Sequence, residues 1–217
     1  MIRLFNPDKL MRQPFFKDLV AYLDQHDEVI LRQLKKEFPE VKNLDRFIEA
    51  YVKAAYISRE NRRYRLTLPL VTDVTALSLE DTIAIDTNSP LYEELLSLTF
   101  DTQLTNQTNQ VIIQESTGID REKLTLANYF YRLKRQESLS ADQKKLYALL
   151  GDVNQEYALK YLTSFLLKFT KKEVVMQKRP DIFVDALVLL GYISPLEKHR
   201  YRLQMAITDP LTFQAKR

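Results

Sequence analysis

Seven basic side chains in two short stretches carry the plainest chemistry in this chain. Arg59, Arg62, Arg63 and Arg65 fall in one stretch, and Lys198, Arg200 and Arg202 in the other. Both stretches end in Arg-Tyr-Arg-Leu, at 63–66 and at 200–203. Guanidinium and ammonium groups can neutralise phosphates, and that neutralisation dominates nucleic-acid affinity. Lys171, Lys172, Lys178 and Arg179 add a basic cluster ahead of the second stretch. A solvated hairpin face accounts for the same residues at least as well.

Other chemistry is nearly absent. His26 and His199 lie far apart, and neither has the positioned partner that general-base work needs. The only glycines are Gly118, Gly151 and Gly191, too dispersed for a phosphate-cradling loop. There is no cysteine, hence no thiolate, no disulfide and no Cys/His zinc spacing. Asp73, Glu80, Asp81 and Asp86 could offer oxygens to a hard cation. They lack the tight spacing of a calcium loop and read as a solvated acidic surface. The sequence therefore points to no catalytic, cofactor-binding or metal-binding residue, and implies no cofactor.

The basic stretches need elements to present them. Residues 47–58, FIEAYVKAAYIS, and 183–194, FVDALVLLGYIS, match at Phe, Ala, Val, Tyr, Ile and Ser. With the two RYRL endings this reads as an internal repeat. In each copy an apolar face at helical period gives way to alternation at period two around Tyr64 or Tyr201, so each reads as helix, strand, turn, strand. Asn43 is a candidate cap for the first of these helices, and Gly191 suits a left-handed cap at the end of the second.

The rest of the chain supplies further helices. The first copy is predicted to hold helices over 14–26, from Asp27 to near Pro39, and over 43–56. The second is predicted to hold an inserted helix opened by the Ser140–Gln143 capping box, a long helix capped by Asn154, and a short helix from Thr170 ending before Pro180. The polar tract DTQLTNQTNQ at 101–110 reads as a loop, and the tail after Pro210 as frayed. The 23 Tyr and Phe side chains fall mostly on helix faces and read as core. The helix DIFVDALVLLGY is apolar almost all round, so it must be buried and cannot enter a DNA groove. Val184, Val188 and Leu189 lie off its main face and are candidate interface residues.

Charge is unevenly spread. Residues 1–69 hold 14 Lys/Arg against 10 Asp/Glu, residues 70–120 hold 9 Asp/Glu and no base, and residues 121–217 hold 18 Lys/Arg against 10 Asp/Glu. No apolar run approaches the ~20 residues of a membrane helix, and the early charges do not suit a secretory leader. The expectation is a cytoplasmic protein with no membrane partner.

The repeated YIS…RYRL units, with LTLANYFYRLK and QKRPDIFVDALVLLGYI, resemble the streptococcal and lactic-acid-bacterial family called domain of unknown function 1803. The resemblance extends over most of the chain and implies a small cytoplasmic protein of a Gram-positive bacterium. It implies no activity and no site residues.

The expected fold is α+β and mainly helical. Two winged-helix-like repeats, each of three helices plus a short β-hairpin, occupy 1–69 and 121–217, the second with a helical insertion. An acidic α/β connector, 70–120, joins them. The expected function is non-catalytic binding or scaffolding through protein contacts, with an unknown protein or a second copy of the chain as partner. The alternative is DNA or RNA association through the basic hairpins, and a third reading is an enzyme with a carboxylate site in the connector.

Overall fold

The computed structural model describes residues 1–216. The chain divides into two compact units, Met1–Leu98 and Thr99–Arg217. The break falls inside the stretch read as a connector. Residues up to 98 belong to the first unit and those from 99 onward to the second, so the acidic stretch is shared out rather than forming a part of its own.

The first unit runs β1 (Ile2–Phe5), α1 (Phe16–Asp24), β2 (Val29–Ile30), α2 (Leu31–Glu37), α3 (Leu44–Lys53), β3 (Ile57–Glu60), β4 (Arg63–Leu66), β5 (Ile83–Asp86) and α4 (Leu91–Ser97). Two antiparallel sheets form, β1-β5 and β2-β4-β3. Phe16, Leu19, Val20 and Leu23 of α1 recur at helical spacing and meet Leu44, Ile48 and Tyr51 of α3 in one core. Val29 and Ile30, read as helical, instead pair with Tyr64 and Arg63. Two adjacent β-branched residues beside an unpaired strand gain more from the ladder than from a first helical turn. The helix starts at Leu31, with the Gln33 side chain accepting the Ile30 N–H at 2.8 Å. Asn43 precedes α3 in a left-handed conformation and makes no side-chain cap. Ala55, just past the end of α3, adopts φ 60°.

The second unit runs β6 (Phe100–Leu104), β7 (Ile112–Thr117), α5 (Leu126–Arg135), α6 (Ala141–Leu150), α7 (Gln155–Leu166), a 3₁₀ turn (Leu167–Thr170), β8 (Val174–Met176), α8 (Ile182–Leu189), β9 (Ile193–Leu196), β10 (Arg200–Leu203), β11 (Ala206–Asp209) and β12 (Thr212–Gln214). Its sheets are β11-β12-β7-β6 and β8-β10-β9. The Ser140–Gln143 capping box forms, and the Asn154 side chain accepts the Tyr157 N–H. The tract read as a polar loop begins with β6, which pairs with β7. The tail read as frayed holds β12, parallel to β7, with Phe213 fully buried.

The expectation of a mainly helical protein is overturned: helix accounts for 36% of residues and strand for 22%, in four sheets. The expectation of two winged-helix repeats is overturned with it. In the first unit α2 lies between β2 and α3, whereas in the second residues 177–181 alone join β8 to α8. The segment from Thr170, read as a helix, becomes β8 because Val174, Val175 and Met176 find partners on β10. Each unit also carries a further sheet that a three-helix plan with one hairpin does not contain.

Candidate nucleic-acid interface

Each Arg-Tyr-Arg-Leu segment is the central strand of a three-stranded antiparallel sheet. The helix before it stops the same way in both units. The Tyr56 N–H donates to the Tyr51 carbonyl at 3.0 Å, and the Tyr192 N–H to the Leu187 carbonyl at 2.9 Å. Ala55 and Gly191 sit between with φ 60° and 72°. Only glycine adopts that region without steric cost, so Ala55 carries strain that Gly191 does not. Both hairpin tips place two successive residues at positive φ, Asn61 and Arg62 in one, Lys198 and His199 in the other. That is the geometry of a tight primed turn, and it thrusts one or two basic side chains outward.

The first hairpin is partly neutralised. Arg63 and Arg65 both pair with Glu28, the former at 2.8 Å. Arg59 pairs with Glu49 of α3. Arg62 stands at the tip and is exposed. The second hairpin is different. Among the described residues no ion pair reaches Lys198, Arg200 or Arg202, all of them exposed. Arg200 donates from Nε only to the Glu197 carbonyl, at 3.1 Å.

Strand pairing then adds charge to the second hairpin. Met176 stands opposite Arg200, and the Gln177 N–H donates to the His199 carbonyl at 2.9 Å. Lys178 and Arg179 follow directly, so the chain leaves β8 beside the hairpin tip. Two basic clusters some twenty residues apart in sequence thus share one end of one sheet. Glu197 is the acid within the hairpin, and Asp181 is committed to capping α8, accepting the Phe183 N–H at 2.9 Å. Aromatic rings are exposed in the same unit, where sequence placed them in the core. Tyr157 and Tyr161 on α7 are 51% and 40% exposed. The Tyr161 ring stacks on Phe183, centroids 5.0 Å apart and planes within 12°, and Lys160 Nζ lies 5.5 Å from the Tyr161 centroid.

Val184, Val188 and Leu189 are not brought to a free surface. Val184 is buried, and Val188 and Leu189 are half-buried against the core of the second unit. α8 turns most of its apolar surface to its own unit, where α6 and α7 pack against it, and leaves Ile182 exposed.

Three of the four acids singled out in 70–120 serve turns. Asp73 accepts the Thr75 N–H, Asp81 the Ser78 N–H and Asp86 the Asn88 N–H, and these bonds hold all three carboxyls below the usual range. Among the described residues no three His, Asp or Glu side chains converge as metal ligands. His26 stacks on Tyr22, its Nδ1 bonded to the Tyr22 carbonyl, and His199 is at the hairpin tip.

One acid escaped sequence reasoning. Glu115 on β7 is 3% exposed. It accepts the Leu126 and Ala127 N–H groups, at 2.7 and 2.8 Å, from the first turn of α5, and also the Tyr192 hydroxyl. Burial pushes its carboxyl up to about 7, against the downward pull of those two amides. Tyr192 leads straight into β9, so this carboxylate ties the second hairpin to the four-stranded sheet. Alternation through Val111, Ile113, Glu115 and Thr117 was the signal that could have found it.

Among the described residues no helix is long and apolar enough to cross a membrane. No curated protein and no solved structure matches the chain. A family match covers residues 2–98 and stops where the first compact unit stops. Over those residues, and not over most of the chain as expected, the sequence is similar to the family described as Domain of unknown function (DUF1803).

Proposed function

We propose that the second unit is a non-catalytic nucleic-acid-binding module that holds the phosphate backbone of a single strand without reading its sequence. The observation that carries this reading is the pairing of β8 with β10, which brings Lys178 and Arg179 to the hairpin tip near Lys198 and Arg200, with Arg202 farther along β10 and, among the described residues, no ion pair to any of the five. Uncompensated cations at a sheet end are what a phosphate backbone requires. The exposed rings of Tyr157 and Tyr161 favour a single strand, because unstacked bases can lie on them. α8 is packed within its unit, so no helix is offered to a groove and base-edge readout is not part of the role. Such a module belongs in the cytoplasm.

Binding through protein contacts or a homodimer draws no support from Val184, Val188 and Leu189, which the unit uses for its own core. The test is fluorescence anisotropy of the full chain with a labelled mixed-sequence oligonucleotide over a salt series. Affinity should fall steeply with salt. The combined change Lys198→Glu, Arg200→Glu and Arg202→Glu should lower it about a hundredfold and flatten the slope. Tyr161→Ala should weaken single-strand binding while leaving duplex binding unchanged. No binding at low salt, or a slope indifferent to the charge reversal, refutes the reading.

A further inference from the structure

Four consecutive residues, Met1, Ile2, Arg3 and Leu4, line one cleft of the first unit. A strand turns alternate residues to opposite faces, so a cleft that touches four in a row runs along an edge. β1 has such an edge, because among the described residues β5 is its sole partner in the sheet. The Thr87 N–H donates to the Met1 carbonyl at 2.9 Å. In the antiparallel register that follows, Arg3 and Phe5 face Ile85 and Ile83 as bonded pairs. Ile2 and Leu4 therefore turn their N–H and C=O groups outward, into the cleft.

The walls give the cleft its chemistry. Pro7, Met11, Lys17, Thr87 and Tyr92 complete its lining. The volume is about 540 Å³, within the range of binding clefts. Its charged side chains are Arg3 and Lys17, and no acid lines it. Arg3 is held in place, donating to the Tyr92 hydroxyl with its guanidinium 5.0 Å from the Phe5 centroid and 5.9 Å from that of Tyr92. Lys17 is exposed, and among the described residues no ion pair reaches it.

We infer that the free edge of β1 takes an extended acidic peptide segment of another protein as an added strand. The peptide backbone pairs with Ile2 and Leu4, and its carboxylates meet Arg3 and Lys17. Strand addition draws affinity from main-chain bonds and selectivity from alternate side chains. It also covers an edge that would otherwise invite unselective pairing. The site lies in the family-matched unit and is independent of the nucleic-acid role of the other.

The test uses the full chain and a fluorescein-labelled hexapeptide alternating valine and glutamate, with a valine–lysine counterpart. The glutamate peptide should bind at least about tenfold more tightly than its counterpart. Lys17→Glu should cost about tenfold, since it reverses one of the two lining charges. Leu4→Pro removes an outward N–H that serves no ladder bond, a place where an edge strand tolerates proline. It should abolish binding while the circular dichroism stays native. If that variant loses its native spectrum, amide exchange in the wild-type chain decides: protection of Ile2 and Leu4 on adding the peptide supports the inference, and its absence overturns it. The inference also falls if the glutamate peptide binds no better than the lysine one, or if a natively folded Leu4→Pro binds it unchanged. It falls equally if hexanoate displaces the peptide and binds Leu4→Pro as well as wild type, which would make the cleft a small-carboxylate site.

Discussion

In the first unit Glu28 precedes the Val29–Tyr64 pair and binds both Arg63 and Arg65. In the second, the residue opposite Arg202 is Val174, which precedes the Val175–Tyr201 pair. The helix stop, the hairpin tip and the strand order are alike, yet one position exchanges a carboxylate for an isopropyl group. At a second position Arg59, paired with Glu49, corresponds to Pro195, since both stand opposite the central tyrosine, and that exchange adds no positive charge to the second unit. Exposed ion pairs stabilise by only about 0–1 kcal/mol each. What the exchange alters is therefore chiefly the field at the surface. One scaffold presents a partly compensated face in the first unit and a hairpin without ion pairs to its basic side chains in the second.

The comparison can be broken or sharpened by measurement. The largest effect should come from Leu187→Ala, which empties a fully buried position whose carbonyl takes the bond that stops α8. It should cost about 2–5 kcal/mol, read as loss of amide protection across the β8-β10-β9 sheet. The first unit should be spared, because its core holds no residue of the second.

Next is Glu115; among the described residues the first unit buries no polar or charged side chain. Its folded value is raised to about 7 from the 4.5 of a free carboxyl, so the neutral form is favoured in the fold. Its contribution to stability is complete below about pH 4.5 and is lost as pH rises through 7, a change of about 3 kcal/mol. Hydrogen exchange of the β7 amides should show that slope in the wild-type chain and lose it in Glu115→Gln. An equal slope in both would remove the assignment.

The charge comparison itself is tested by exchange. Val174→Glu should quench nucleic-acid binding by about tenfold, and Glu28→Val should give the first unit a weak, salt-sensitive affinity. If neither variant moves binding, the Glu28–Val174 difference has no functional weight. The smallest effect should be at the helix stops. Ala55→Gly should stabilise the first unit by about 1 kcal/mol by relieving its positive φ, and Gly191→Ala should destabilise the second by a similar amount. Thermal melts that reverse those signs would show the two stops to be unlike.

The errors of sequence reasoning had one physical character. Val29–Ile30 and Val174–Met176 were read as parts of helices, although each is the outer strand beside an Arg-Tyr-Arg-Leu segment. A three-residue strand has no period long enough to announce itself. Thr212–Gln214 was read as fraying, although it lies parallel to β7 about a hundred residues away. Of the seven candidate phosphate contacts, all stand on the hairpins, but which carry free charge depends on Glu28 and Glu49, acids from other elements.

What the chain encodes locally could be read without coordinates: the apolar faces of α1 and α3, the caps at Ser140 and Asn154, the left-handed stop at Gly191 and the two basic hairpins. These depend on side chains within a few residues of one another, where spacing fixes geometry. Which strand lies beside which hairpin, which carboxylate meets which arginine, and the burial of Glu115 were decided only when distant segments met. Their energies come from ladders, ion pairs and desolvation across long loops, and no local pattern records those.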